Sequence, residues 1–97
     1  MEADVDRTVR ARITGRVQGV CYRAWARAEA EAIGVTGWVR NVGYDTVEAL
    51  AEGTGEQIER FLQMVKRGPL GARVDESREE WEPVTGEFGA FRVKASM

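Results

Sequence analysis

Residues 7–33 read RTVRARITGRVQGVCYRAWARAEAEAI, a run in which two different periodicities meet at a short segment that contains glycine. Over residues 7–14 apolar and polar side chains alternate, which is typical of a β-strand with one buried face. Over residues 22–33 the apolar side chains recur instead at the spacing of a helix, and Gly34 is placed to end that helix. The stretch therefore predicts a strand, a connection and a helix that share one core.

The rest of the chain adds two strands, a second helix and a final strand region split in two. Residues 35–42 and 46–52 predict strands, and the short segment between them favours an antiparallel hairpin. The capping-box signal TGEQ at residues 54–57 predicts the start of the second helix, which Gly68-Pro69 ends. Strands are predicted again at residues 73–82 and 88–95.

The order of these elements, βαββαβ, predicts the fold class. It favours an α+β protein with a split βαβ (ferredoxin-like) sandwich, in which two helices pack on one face of an antiparallel sheet. A chain of 97 residues suits a single domain, here residues 7–97, after an acidic segment at residues 1–6 that we expect to be a flexible tail.

Charge and composition exclude several classes of function. The net charge of −2 argues against a general nucleic-acid or membrane-surface protein, since both need a basic face. The chain has no histidine, the commonest general base and metal ligand, so we expect neither a metal nor a cofactor. Its one cysteine, Cys21, rules out an internal disulfide and favours a reducing compartment. We therefore expect a cytoplasmic, monomeric protein that binds a small molecule.

The segment GRVQGVCYR, residues 15–23, has the parts of an anion site. Gly15 and Gly19 allow a positive φ and the close approach of a ligand. The backbone amides that open the following helix have no intrahelical partners and favour an anion. Arg23 adds a planar cation suited to two phosphate oxygens. The alternative interpretation is a glycine turn followed by a surface arginine.

A second segment, GWVRN at residues 37–41, ends a strand with a polar amide. By itself, Asn41 at such a position is usually a turn former. Cys21, although it lies in the first segment, has no base beside it in sequence and is interpreted as a bystander rather than a nucleophile.

Both segments resemble the motifs of the acylphosphatase family, a G-x-V-Q-G-V-x-[FY]-R loop and a G-W-V-x-N strand, in the same order and on the same elements. The resemblance extends through residues 48–53 and 86–88 and covers nearly the whole chain. It implies hydrolysis of acyl phosphates to a carboxylate and inorganic phosphate. It also implies that Arg23 binds the phosphoryl group and that Asn41 positions the attacking water. The backbone amides of the loop would complete the phosphate site, at Arg16, Val17, Gln18, Gly19, Val20, Cys21 and Tyr22.

One departure from the family pattern lies in the hairpin turn after Asn41. Family members commonly carry Asp-Gly there, whereas this chain has GYDT at residues 43–46. Two other functions compete with the enzyme: a regulatory module of the same fold that binds phosphate without turnover, and an RNA-recognition domain. The second needs aromatic residues in an RNP1 motif, and the chain contains no such run.

Overall fold

The computed structural model describes residues 6–96, which form five strands and two helices. In chain order these are β1 (Asp6–Arg16), α1 (Tyr22–Ile33), β2 (Thr36–Val42), β3 (Thr46–Thr54), α2 (Gly55–Arg67), β4 (Arg73–Glu82) and β5 (Phe91–Val93). The predicted order of elements is confirmed. Of the predicted N-terminal tail, residues 1–5 lie outside the described residues, and Asp6 begins β1.

The strands form one sheet in the order β4-β1-β3-β2-β5. The pairs β1–β3, β1–β4 and β2–β3 are antiparallel, and the last of these confirms the predicted hairpin. The last strand differs, because β5 pairs with β2 in parallel and makes the sheet mixed. The reason lies in the segment of residues 83–90, which crosses the end of the sheet where β4 stops. Its backbone amides at Thr85 and Gly86 donate to the carboxylate of Glu52 at the end of β3.

Both helices cover one face of the sheet, which confirms the predicted two-layer sandwich. The alternating residues of β1 and β3 on that face are fully buried. The longer apolar stripe of α2 packs over them, and Thr54 and Gln57 close the predicted capping box at its start. Every element except β4 contributes to the core, and the apolar Val74 of β4 is only partly buried. The largest fully buried side chains of the core are those of Tyr22, Phe61, Phe91, Ile13 and Ile58.

The opposite face of the sheet carries charged side chains rather than a second layer of helices. Glu48 is only 2% exposed, and its carboxylate contacts Arg40 at 2.6 Å, Arg12 at 3.1 Å and Arg10 at 3.3 Å. Burial would raise the pKa of the Glu48 carboxyl, but the hydrogen bonds from the three arginines outweigh it and hold that pKa below its usual value. Glu48 is therefore a buried carboxylate that ties three strands together.

The sheet topology gives the molecule two different ends. At one end the 83–90 segment crosses between the edge strands. At the other end β1, β2 and β5 finish and β3 and β4 begin, so their adjoining loops meet there. Both sequence motifs finish at this second end.

Candidate active site

The connection from β1 to α1, the β1–α1 loop (residues 17–21), is shaped by glycine. Gly15 lies just before it at a bulge between β1 and β4, with φ 144°. A Cβ atom there would lie 2.2 Å from the carbonyl oxygen of Arg73, so a larger residue would push the strands apart. Gly19 adopts φ 76° with open space around it. The two glycines therefore have different roles: Gly15 allows close packing of β1 against β4, and Gly19 allows a left-handed turn in the loop.

Cys21 is the N-cap of α1 and has an unusual conformation for a residue with a side chain. Its φ of 59° and ψ of 29° lie in the left-handed region, and its side chain makes no capping hydrogen bond. The first amide to donate into the helix is that of Trp25, to the Cys21 carbonyl at 3.0 Å. Within residues 6–96, no backbone hydrogen bond from the amides of residues 18–24 to a carbonyl is found. These amides are available to an anion.

Arg23 lies in the first turn of α1, half-buried beside these amides. Several other arginines pair with carboxylates, such as Arg40 with Glu48 and Arg27 with Glu31. Within the described part of the chain, the Arg23 guanidinium has no carboxylate within 4.0 Å. Its charge is therefore free to meet a bound anion.

Asn41 lies near the end of β2, on the face of the sheet that the helices cover. Its Oδ1 atom is buried, and among residues 6–96 it has no hydrogen-bond partner. Leaving a buried acceptor unpaired costs about 1–3 kcal/mol, so proteins seldom keep one without a use for it. An unpaired acceptor of this kind can bind a water molecule or a ligand hydroxyl that reaches it.

The structure brings Arg23 and Asn41 to one cavity of about 380 Å³. A volume of this order is within the range of small-molecule sites, roughly 300–1,000 Å³. The lining residues are Val17, Gln18, Gly19, Cys21, Tyr22, Arg23, Ala24, Asn41 and Val93. Two of the residues predicted to contribute amides, Arg16 and Val20, are not among them.

Tyr22 joins the start of α1 to α2 within the core. Its ring is buried, and its hydroxyl donates to the carbonyl oxygen of Val65 on α2. Burial raises the pKa of the Tyr22 phenol, so the hydroxyl stays protonated and serves as a donor rather than a base. This hydrogen bond joins a residue that lines the cavity to the second helix.

Three contributors to the site were missed by sequence reasoning. Val93 and Ala24 line the cavity, and the Gln18 side chain joins the loop to the turn after β2. The approach of β5 to β2 that brings Val93 there is a long-range pairing without a local signal. From the sequence, a role is predicted only for the backbone amide of Gln18, because the sequence does not indicate which groups its side chain contacts.

Comparisons with known proteins identify the family. The acylphosphatase family model matches residues 9–93. An acylphosphatase of Aeropyrum pernix is 49% identical over 92% of this chain and 91% of its own length. One of Salinibacter ruber is 42% identical over 97% and 99%, respectively. Among solved structures, an acylphosphatase from Coxiella burnetii superposes with a TM-score of 0.88 at 30% identity, covering 97% of this chain and all of that one.

These matches span almost the full length of this chain and of the proteins it matches. The residues that the family model matches, 9–93, include both motifs and the residues that line the cavity. They favour the enzyme over the two competing functions, the non-catalytic phosphate-binding module and the RNA-recognition domain. The chain therefore belongs to the acylphosphatase family, and its activity is the hydrolysis of acyl phosphates to a carboxylate and inorganic phosphate.

Proposed function

We propose that the phosphoryl group of the substrate binds in the β1–α1 loop and that Asn41 places the attacking water. The observation that carries this proposal is the single cavity that Arg23 and Asn41 both line, together with the unpaired Oδ1 of Asn41. Arg23 and the amides of the loop would hold the phosphoryl oxygens and stabilise their charge in the transition state.

Asn41 Oδ1 is an acceptor, so it would receive a hydrogen bond from the water and direct a lone pair of the water oxygen at phosphorus. A new bond forms from that oxygen to phosphorus while the bond from phosphorus to the acyl oxygen breaks. The carboxylate departs with the electron pair, and the water's proton passes to solvent or to the phosphate product. An amide cannot take the proton, so its role is placement.

This division of labour fits an activated substrate. The leaving carboxylate has a pKa of about 4–5, near that of Asp and Glu side chains, and needs no protonation to depart. Phosphoryl transfer has a loose transition state, in which placement and charge stabilisation matter more than deprotonation of the water. The chain has no histidine to act as a base, and the proposed mechanism needs none.

The direct test is the hydrolysis of benzoyl phosphate by the wild type and by Arg23→Gln. We expect Arg23→Gln to lower kcat/KM by about 10²–10³-fold, the usual cost of one electrostatic contact to a transition state. Arg27→Gln is the matched control, because it lies one turn later on α1 and loses only an exposed pair with Glu31. Near wild-type kcat/KM in a folded Arg23→Gln would overturn the proposed site.

The role of Asn41 has a separate readout. Asn41→Ala should lower kcat strongly and leave the affinity for inorganic phosphate nearly intact, because water placement contributes only to the reaction. A normal kcat with a raised KM would instead assign Asn41 to substrate binding.

A series of leaving groups tests the absence of a protein acid. Acetyl and benzoyl phosphate should be good substrates, and phosphoserine-like esters should react slowly or not at all, because their alkoxides are far more basic. Rates that do not depend on leaving-group pKa, with chemistry rate-limiting, would mean that a proton donor has been overlooked.

We also propose that the protein works in the cytoplasm as a monomer. A single exposed cysteine suits a reducing compartment. The exposed large apolar side chains are spread over a turn, a loop, two strands and the crossing segment, at Tyr44, Leu70, Trp81, Val93 and Val84. Within residues 6–96, no helix is long and apolar enough to cross a membrane. Light scattering of the purified protein at several concentrations tests the monomer.

A further inference from the structure

The Gln18 side chain joins the two halves of the cavity. Its Nε2 atom donates to the carbonyl oxygen of Thr46 at 2.9 Å and to that of Gly43 at 3.2 Å. These carbonyls belong to the first residue of the β2–β3 turn (residues 43–45) and to the residue that follows it. One side chain of the β1–α1 loop thus bridges both sides of the turn that follows Asn41.

The bridge spans the two segments that carry the proposed chemistry. The β1–α1 loop leads into Arg23 and holds the unpaired amides, whereas β2 carries Asn41 and ends in the turn. Two further contacts join β1 to the turn: the Gly15 amide donates to the Asp45 carbonyl at 2.9 Å, and the Thr14 and Thr46 hydroxyls lie 3.1 Å apart. Both come from the strand before the loop. Among residues 6–96, Gln18 is the member of the loop that makes such a contact through its side chain.

The chemistry of the amide group assigns it to the turn rather than to the substrate. Both carbonyls are acceptors, and the Nε2 group has two N–H donors, so the two hydrogen bonds use its full donor capacity. A donor engaged in this way does not need to turn into the cavity. The backbone amide of Gln18 remains free to face the anion, since it has no carbonyl partner within the described residues.

We propose that the Gln18 side chain is a positioning residue, which holds the phosphoryl-binding loop at a fixed distance from Asn41. The inference rests on the proposed function of Arg23 and Asn41. The same side chain holds the altered turn of this chain, in which Gly43 takes φ 64°, through the carbonyls of Gly43 and Thr46.

The first test is Gln18→Met, which keeps the length and flexibility of the side chain and removes its donors. We expect kcat for benzoyl phosphate to fall about 10–100-fold, because a misplacement near 1 Å between reacting groups can cost about 10²-fold. Affinity for inorganic phosphate should fall much less, by about threefold or below. A loop that had merely lost its structure would lose phosphate affinity as much as kcat.

Gln63→Met on the exposed side of α2 is the matched control and should behave as the wild type. Gln18→Ser, which cannot reach either carbonyl, is a second variant in case Gln18→Met is poorly folded. Thermal unfolding of each variant establishes that the protein is folded at the assay temperature.

The second test is a double-mutant cycle with Asn41→Ala. If Gln18 acts by placing the loop against Asn41, the loss of kcat caused by Asn41→Ala should be several-fold smaller in the Gln18→Met background than in the wild type. The inference about Gln18, but not the proposed function, would be overturned by either of two results. One is a double mutant whose loss of kcat equals the product of the two single losses, and the other is a kcat for folded Gln18→Met within twofold of the wild type. A normal kcat in Asn41→Ala by itself would overturn the proposed function and the inference with it.

Discussion

The two helices of this protein begin in opposite ways. At the start of α2, Thr54 accepts a hydrogen bond from the Gln57 amide at 3.2 Å, and the Gln57 side chain accepts one from the Thr54 amide at 2.9 Å. At the start of α1, Cys21 makes no side-chain cap, and the first turn contains no acidic residue. One helix N-terminus is satisfied by its own residues, and the other is left open.

The capped start of α2 stabilises the fold, whereas the uncapped start of α1 leaves amides that can bind an anion. A capping box removes two unpaired donors and stabilises a helix, so it is the expected solution where nothing else must bind. The open N-terminus of α1 forgoes that stabilisation and keeps Cys21 in a left-handed conformation, which costs a residue with a side chain roughly 1–2 kcal/mol. Its unpaired amides and dipole are then free to stabilise a bound anion next to Arg23. The proposed phosphate site thus uses a helix N-terminus that the residues of the helix itself leave uncapped.

The largest expected effect is stabilisation by phosphate. If the anion occupies the α1 N-terminus, inorganic phosphate at about 100 times its Kd should raise the free energy of unfolding by about 2.7 kcal/mol. Arg23→Gln should lose most of this gain at the same concentration, because its affinity is lower. Denaturant unfolding with and without phosphate measures both. Equal stabilisation of the two proteins would place the anion elsewhere.

The next prediction makes the start of α1 resemble the start of α2. Cys21→Asp places a carboxylate at the open N-terminus, where it would repel a phosphoryl group and compete for the same amides. We expect affinity for phosphate to fall by roughly tenfold or more, since like charges about 4 Å apart near a protein surface repel by several kcal/mol. Cys21→Asn is the neutral control of nearly the same shape, and it tolerates the left-handed conformation. Similar phosphate affinity in both variants would remove charge as the explanation.

The reverse change opens α2. Thr54→Ala removes the capping bond from the Gln57 amide to the Thr54 hydroxyl and should lower the free energy of unfolding by about 1 kcal/mol. For a domain of this size that corresponds to a fall in Tm of roughly 4–8 °C. Activity below the unfolding transition should be unchanged, because α2 starts at the end of the sheet away from the cavity. A reduced kcat in folded Thr54→Ala would mean that the two helix starts are coupled.

The smallest effect is expected for Cys21→Ser. The thiol is exposed, makes no capping bond and has no assigned role in the chemistry. The serine variant should therefore remain active, with at most a modest loss of stability. Complete loss of activity with the fold preserved would bring a thiol mechanism back into consideration.

Much of the fold can be predicted from local patterns in this sequence. The alternation in residues 7–14 predicts which side of β1 is buried, and the capping box at residues 54–57 predicts the start of α2. Both can be predicted because they depend on residues that are close together in the sequence. The proposed roles of Arg23 and Asn41 rest on motif resemblance. Neither residue by itself differs from a surface arginine or a turn asparagine, so their importance depends on being brought together.

The contacts between distant parts of the chain were decided only by the tertiary structure. Three contacts join residues far apart in the chain: the parallel pairing of β5 with β2, the ion pairs of Arg10 and Arg12 with Glu48, and the hydrogen bond from Gln18 to the turn. Periodicity specifies which face of an element meets the core, but the register between strands is fixed only when the whole sheet assembles. The unpaired Oδ1 of Asn41 is of the same kind, since an acceptor is left without a partner only by the arrangement of everything around it.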